Sequence, residues 1–344
     1  MTEQESIEKL LAAGTTEAAT RLRDLAETTT DKEMRKAARR ALYRLSLAGV
    51  VPEERAPAAR PAEPATTPPD TLRAFASAYD GAGNRLLILL LPDPDGGSPT
   101  LAQILTNDEE GIRDFAARRM SRREVAEALE RFEKQLDGGL AIAEIESDYA
   151  RYLLREARAI NQRLGHATPE GFLDWYPRVG TPREDWEAPP IYAHLPAETV
   201  RADLSFSHDP DALFALPWFT PWFFAVRDVV PWLESWEQIE TGTIVLPDSA
   251  KQERRERIVA EAVEALMPPE TRDRYRRRLE ESADVLRRRD KEEAARIALY
   301  QALTLADNMP VAQVPFARAL VRRTIDAAME MVTATRQPQA QARR

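Results

Sequence analysis

Four cations, Lys32, Lys36, Arg40 and Arg44, recur at every fourth residue. On an α-helix that spacing stacks them into one ridge, with Arg35 and Arg39 alongside. A ridge of positive charge recognises anions, either the phosphates of a nucleic acid or the carboxylates of a protein face. It stands out because the 344-residue chain is acidic, with a net charge of -9. The ordinary alternative is a solvated helix face, since Asp31 and Glu33 lie close by and only Tyr43 is available for stacking on bases. A second basic cluster runs through Arg272, Arg274, Arg276, Arg277 and Arg278 to Arg287, Arg288 and Arg289. Glu280, Glu281 and Asp284 stand at helical pairing distance from it, which weakens a nucleic-acid reading.

The segment from Phe214 to Trp236 holds Trp218, Trp222, Trp232 and Trp236, four of the six tryptophans, together with Phe219, Phe223 and Phe224. Exposed, such a cluster would anchor a protein partner or line a pocket. Buried, it would be a core in which short proline-broken helices pack on the C-terminal region.

Other chemistry finds little support. There is no cysteine, which excludes disulfides, thiolate nucleophiles and cysteine-ligated metal. The three histidines are His166, His194 and His208, and His208 directly precedes Asp209-Pro210, a helix-start pattern. Asp93-Pro94-Asp95-Gly96 supplies two carboxylates of a cation loop and lacks the third ligand and the closing Glu. No phosphate-binding glycine loop, nucleophile elbow or His-Glu-x-x-His helix is present. No metal and no cofactor are expected, no catalytic residue is assigned, and the expectation leans away from an enzyme.

The elements that position these residues fall into segments. Residues 1–50 form a helical module. Ile7, Leu10 and Leu11 make one apolar patch, and Thr16 is expected to cap a second helix. Asp31 is expected to cap the basic helix, with Gly49 ending it and Met34, Ala38, Ala41, Leu42 and Leu45 on its apolar side. These alternating Leu/Ala helices resemble a single HEAT-like helical hairpin. Residues 51–70 contain six prolines and no aromatic residue, the composition of an extended flexible linker.

Residues 71–165 read as a β-meander plus helices. Leu72–Tyr79 and Arg85–Leu91 flank a glycine-containing turn, Thr100–Thr106 and Gly111–Ala117 follow, and three or four antiparallel strands are expected. The unbroken apolar run Leu86–Leu91 suits a central strand. Ser121 is expected to cap a helix to about Gln135, Gly138-Gly139 to break the chain, and a long helix to run from Ile145 to Leu164. Residues 166–247 form a Pro/Trp-rich irregular helical region with helix starts at Thr168-Pro169 and His208-Asp209-Pro210. Residues 248–335 form a C-terminal helical bundle of four helices, Asp248–Leu266, Pro269–Arg288, Lys291–Ala306 and Pro315–Val332. Its middle pair resembles a tetratricopeptide-type hairpin in outline, without that repeat's Trp/Gly/Tyr pattern. Residues 336–344 are expected to be a disordered tail.

The fold class is therefore α+β, mainly α. Residues 71–250 carry 17 basic and 30 acidic groups, whereas 251–344 carry 20 and 15, so opposite-sign regions coexist in one chain. No segment is long and apolar enough to span a bilayer, and the acidic N-terminus lacks a signal-peptide pattern, so a cytoplasmic protein without membrane contact is expected. The expected function is a non-enzymatic adaptor or scaffold. It would dock a protein partner through Lys32, Lys36, Arg40 and Arg44 and through Trp218, Trp222, Trp232 and Trp236. The first alternative is an RNA- or DNA-binding or ribosome-associated protein using Arg35, Arg39, Arg274, Arg277 and Arg278. The second is an enzyme with a carboxylate-based site.

Overall fold

In a computed structural model of the chain, the described residues are 3–29, 31–47, 50, 72–93, 97–134, 140–183, 185–241 and 247–341. Two compact units result, Met1–Thr66 and Thr67–Arg344. The linker expected at 51–70, the stop at Gly49 and the break at Gly138-Gly139 lie outside the described residues.

The first unit holds three helices, α1 (Glu3–Ala13), α2 (Thr16–Thr28) and α3 (Lys32–Leu47), one more than a hairpin. Their amphipathic faces meet in a small core of Ile7, Ala19, Leu22, Ala26, Ala38, Ala41 and Leu45. Thr15, not Thr16, is the N-cap of α2, and its hydroxyl accepts a hydrogen bond from the Ala18 amide at 3.2 Å. Gly14 at φ 59° turns the chain immediately before it, which places the cap one residue earlier than expected. Asp31 caps α3 through the Met34 amide at 3.4 Å.

The second unit begins with a sheet of β1 (Arg73–Ser77), β2 (Asn84–Leu91), β3 (Thr100–Asn107), β4 (Gly111–Arg119) and β5 (Ile142–Ile145). The strand order is β4-β3-β2-β1-β5 and every pairing is antiparallel. Strands β1 to β4 form the expected meander. The fifth strand was not expected and takes Ile145 from the expected start of the long helix, because Ile142, Ala143 and Ile145 are buried along β1 as an edge segment. Helix α5 accordingly starts at Ser147 and ends at Leu164.

The continuous apolar run on β2 is buried on both faces. Leu87, Leu89 and Leu91 face α5, packing with Tyr149, Leu154 and Ala157. Ile88 faces α4 (Arg122–Lys134), packing with Val125 and Ala128. Ser121 and Glu124 close a reciprocal capping box at the start of α4. The outer strand β4 is charged and mostly exposed, as an unpaired edge needs to be.

The β3–β4 turn is locked from α5. Buried Asn161 accepts from the Ile112 amide at 2.7 Å and donates to the carbonyls of Glu110 and Ile112. Gly111 between them has φ 85°, and a Cβ there would lie 2.4 Å from Asn161 Oδ1 and 2.6 Å from the Ala157 carbonyl. Gly111→Ala combines left-handed backbone strain with a clash against backbone, so a loss of about 2–4 kcal/mol is expected. Urea denaturation tests it, and a variant within about 0.5 kcal/mol of wild type would contradict this account of the turn.

Beyond α5 the chain is irregular, with short helices α6 (Phe172–Trp175), α7 (Ala197–Ala202) and α8 (Pro210–Phe214). Asp209 caps α8 by accepting from the Asp211 amide. Thr168-Pro169 does not open a helix, because Gly171 at φ 76° reverses the chain first and becomes the N-cap of α6. Helices α9 (Val226–Thr241), α10 (Asp248–Leu266), α11 (Pro269–Arg288), α12 (Glu292–Ala306) and α13 (Pro315–Gln341) complete the unit. Helix α13 continues past 335, where a tail was expected. Sheet and helices share one core, since Ala141 and Ala143 join the cluster that contains Trp222, Tyr275, Leu299 and Phe316.

Candidate functional site

The basic ridge holds as an exposed surface for the part that is described. Lys36, Arg39, Arg40 and Arg44 are exposed on α3, opposite the buried Ala38, Ala41 and Leu45. No ion pair joins these four to another described side chain, whereas Arg21 on the neighbouring helix pairs with Glu17 at 2.9 Å. Arg35 differs: its guanidinium donates to the Thr29 carbonyl at 2.6 Å and serves the α2–α3 turn. The side chain of Lys32 lies outside the described residues.

The tryptophan cluster is core, which corrects its reading as a partner surface. Trp222 is fully buried, and Trp218 and Trp236 are 8% and 9% exposed. Trp232 is half-buried against the same cluster. The turn between α8 and α9 folds these rings inward: Trp222 meets Phe219 edge-on at 5.1 Å, and Phe214 stacks on Phe316 at 5.6 Å. A set of large rings on short proline-broken segments can be satisfied only by burial on a larger body.

The C-terminal arginines also turn inward, which removes them as a phosphate-tracking surface. Arg278 is 3% exposed and grips Asp108 with two nitrogens at 2.6 and 2.8 Å, while its third nitrogen donates to the Gly81 carbonyl. It thereby ties α11 to the β1–β2 and β3–β4 turns of the meander. Arg274 reaches Glu109 at 3.5 Å. Arg288 holds Asp284 at 2.6 Å and Glu146 at 2.8 Å. Arg277 pairs with Glu281 at 2.7 Å, one turn along the same helix.

Glu281 is the centre of the most buried part of this network. Arg85 Nη1, from the start of β2, donates to its Oε2 at 2.9 Å, and both side chains are at most 2% exposed. Tyr149 of α5 donates its hydroxyl to Glu281 Oε1 and accepts from Arg277 at 2.9 Å. Burial alone would push the Glu281 carboxyl up, but the Arg85 and Arg277 guanidiniums together hold it below the ordinary range. Burial raises the Tyr149 and Tyr79 phenols, so both stay protonated at neutral pH. Arg85 also lies 5.2 Å above the Tyr79 ring and donates to the Ser77 carbonyl.

A cavity of about 180 Å³ opens beside this network, between β2, β3, α5 and α11. Arg85, Arg277, Tyr79 and Tyr152 give its polar side, and Leu87, Leu153, Ala157 and Ile160 its apolar wall. Sequence reasoning placed Glu281 within pairing distance of the arginines but missed Arg85 and the three tyrosines around it. The available signals were a lone arginine opening an otherwise apolar strand and a Glu-Glu pair next to Ser282-Ala283 on a helix face too small to be solvent-facing.

His208 is structural. Its Nε2 lies 2.8 Å from the Asp203 carbonyl and its ring stacks on Tyr300 at 3.9 Å. Among the described residues no three His, Asp or Glu converge as a metal-ligand set, and no helix is long and apolar enough to cross a membrane.

Residues 222–329 match the family model described as the Y4lR C-terminal helical domain. That span begins at Trp222 and takes in α9 to α12 and the first part of α13, so the similarity concerns the helical body and leaves out both the sheet and α3. No curated protein and no solved structure matches the chain.

Proposed function

We propose that the protein is a non-enzymatic adaptor that docks an acidic segment of a protein partner on the exposed face of α3. The observation that carries this reading is the contrast in how the two units treat clustered cations. On α11 the arginines are spent on internal carboxylates, whereas on α3 Lys36, Arg39, Arg40 and Arg44 stand exposed in one ridge. The opposite side of α3 is already used in the three-helix core, so the ridge is the side left for recognition. A core this small is easily carried at the end of a proline-rich tether, which would raise the local concentration of the module at an assembly.

An acidic protein face is favoured over a nucleic acid for two reasons. The second basic cluster is consumed internally, so of the two clusters the short α3 ridge is the one left exposed. The chain also carries a net charge of -9, which repels a polyanion longer than the ridge.

The test is titration of the full chain with a fluorescent oligoglutamate peptide, and in parallel with single- and double-stranded RNA and DNA, at low and moderate salt. The Lys36→Glu/Arg40→Glu variant replaces two attractions with two repulsions, worth about 1–3 kcal/mol in all at an exposed face, so peptide affinity should fall roughly tenfold or more. Thermal unfolding of the variant should be unchanged. Tighter binding of RNA or DNA than of the peptide, or equal peptide binding by the variant, would overturn the proposal.

A further inference from the structure

The cavity between the meander and α5 is lined by two guanidiniums and by two carboxylates, those of Asp108 and Glu156. Arg85 and Arg277 both line it, and both lean on the single carboxylate of Glu281. Asp108 is held bidentately by Arg278, Glu109 is shared by Arg274 and Arg278, and Glu156, which is exposed, lies 3.7 Å from Arg155, whose nearer partner is Asp185 at 2.5 Å. Arg277 meets both Glu281 and Tyr149 through Nη2 and its side chain is 29% exposed, which leaves its other nitrogens to receive an anion. A guanidinium with N–H donors to spare is a ready partner for an anion.

The apolar wall sets what the anion carries. Leu153, Ala157 and Ile160 of α5 line the same cavity and present hydrocarbon to it. Tyr79 and Tyr152, which also line the cavity, are phenols held in the protonated form by burial, so they can donate hydrogen bonds but add no competing charge. About 180 Å³ is close to the roughly 150 Å³ of an engineered apolar cavity that accepts benzene. The space suits one small ring or a short alkyl chain and is too small for a nucleotide.

We propose that this cavity binds a small monocarboxylate with an apolar body, the carboxylate directed to Arg277 and Arg85 and the body against Leu153, Ala157 and Ile160. Planar guanidinium suits a planar carboxylate, and the apolar wall disfavours a fully hydrated anion such as phosphate. The inference concerns the second unit alone and does not depend on docking at α3.

The experiment is isothermal titration of the full chain with benzoate and butyrate. Inorganic phosphate is the hydrated-anion control, and benzyl alcohol and butanol are the uncharged isosteres. Benzoate or butyrate should bind saturably with one site, and the alcohols and phosphate at least tenfold more weakly. Arg277→Gln should weaken carboxylate binding at least tenfold. Because that variant also disturbs the Glu281 network, Ile160→Phe provides the second arm: it fills the apolar end, leaves every charge in place and should abolish binding while the protein stays folded by circular dichroism. Wild type that binds neither carboxylate, phosphate that binds as well as benzoate, or Ile160→Phe that binds benzoate undiminished would each overturn the proposal.

Discussion

Glu281→Ala should destabilise the second unit by about 3–5 kcal/mol, because it leaves two guanidiniums in the interior without a counter-ion. Arg85 and Glu281 are 2% and 1% exposed, so water cannot enter to compensate without opening the packing between α11 and the sheet. The same change orphans the Tyr149 hydroxyl, which donates to Glu281. The cause is charge rather than lost volume, and a double replacement separates the two. Arg85→Met combined with Glu281→Met removes a charge of each sign and fills the space with hydrocarbon, so its cost should fall well below the sum of the single changes. Urea denaturation of the two singles and the double gives the coupling energy. Additive losses would show that Arg85 and Glu281 are not an energetic unit.

The pH dependence has a definite sign. The Glu281 carboxyl is held below its ordinary value in the folded chain, so its contribution is complete above the unfolded carboxylate range near about 4.3 and fades as pH falls through the folded value. Glu280 and Asp284, raised mainly by burial, act in the opposite direction and lose their contribution as pH rises. Total stability therefore mixes the two. The difference between wild type and Glu281→Gln isolates the first, and should be greatest at neutral pH and shrink as pH falls from the unfolded carboxylate range near about 4.3 towards the lower folded value.

Much of this fold is local in origin, and that part was legible. The unbroken apolar run on β2 and the Asp80–Asn84 turn are short-range signals, and Asp248–Leu266 and Pro269–Arg288 begin and end where sequence reasoning places them. The mainly helical α+β class follows from those elements. Strand β5 was hidden because four residues are too few to show a period, and its identity comes from β1, about seventy positions earlier in the chain. The candidate site was hidden for the same reason. Arg85 and Glu281 are 196 residues apart, and nothing within a local window relates them. Charge spacing on a helix shows which cations share a face but not whether a carboxylate from another element waits opposite. On α3 none does among the described side chains, whereas on α11 Asp108, Glu109 and Glu146 do.

The tryptophans pose the same question for apolar residues, and Trp222→Ala answers it with the second large effect. If the indole were an interface anchor, its removal would weaken a complex and leave the isolated chain as stable as before. In the structure the ring is fully buried, set edge-on to Phe219 at 5.1 Å and to Tyr275 at 6.1 Å. Its backbone is equally constrained: a Cβ on Gly81 would come within 2.6 Å of the Trp222 Cα, so the β1–β2 turn and this segment pack main chain to main chain. The neighbours cannot collapse into the space the ring would vacate, and a loss of about 3–5 kcal/mol is expected, at the upper range for a large-to-small change. Trp222→Phe provides the control. Indole Nε1 is buried with no hydrogen-bond partner, so phenylalanine removes an unsatisfied donor along with part of the volume. Its cost should be less than half that of alanine, at about 1–1.5 kcal/mol. Thermal and urea unfolding of both variants decide the matter. An alanine variant as stable as wild type would return Trp222 to the surface and reopen its role in partner docking. The expected order, wild type above phenylalanine above alanine, makes it part of the core that holds the helical body against the sheet.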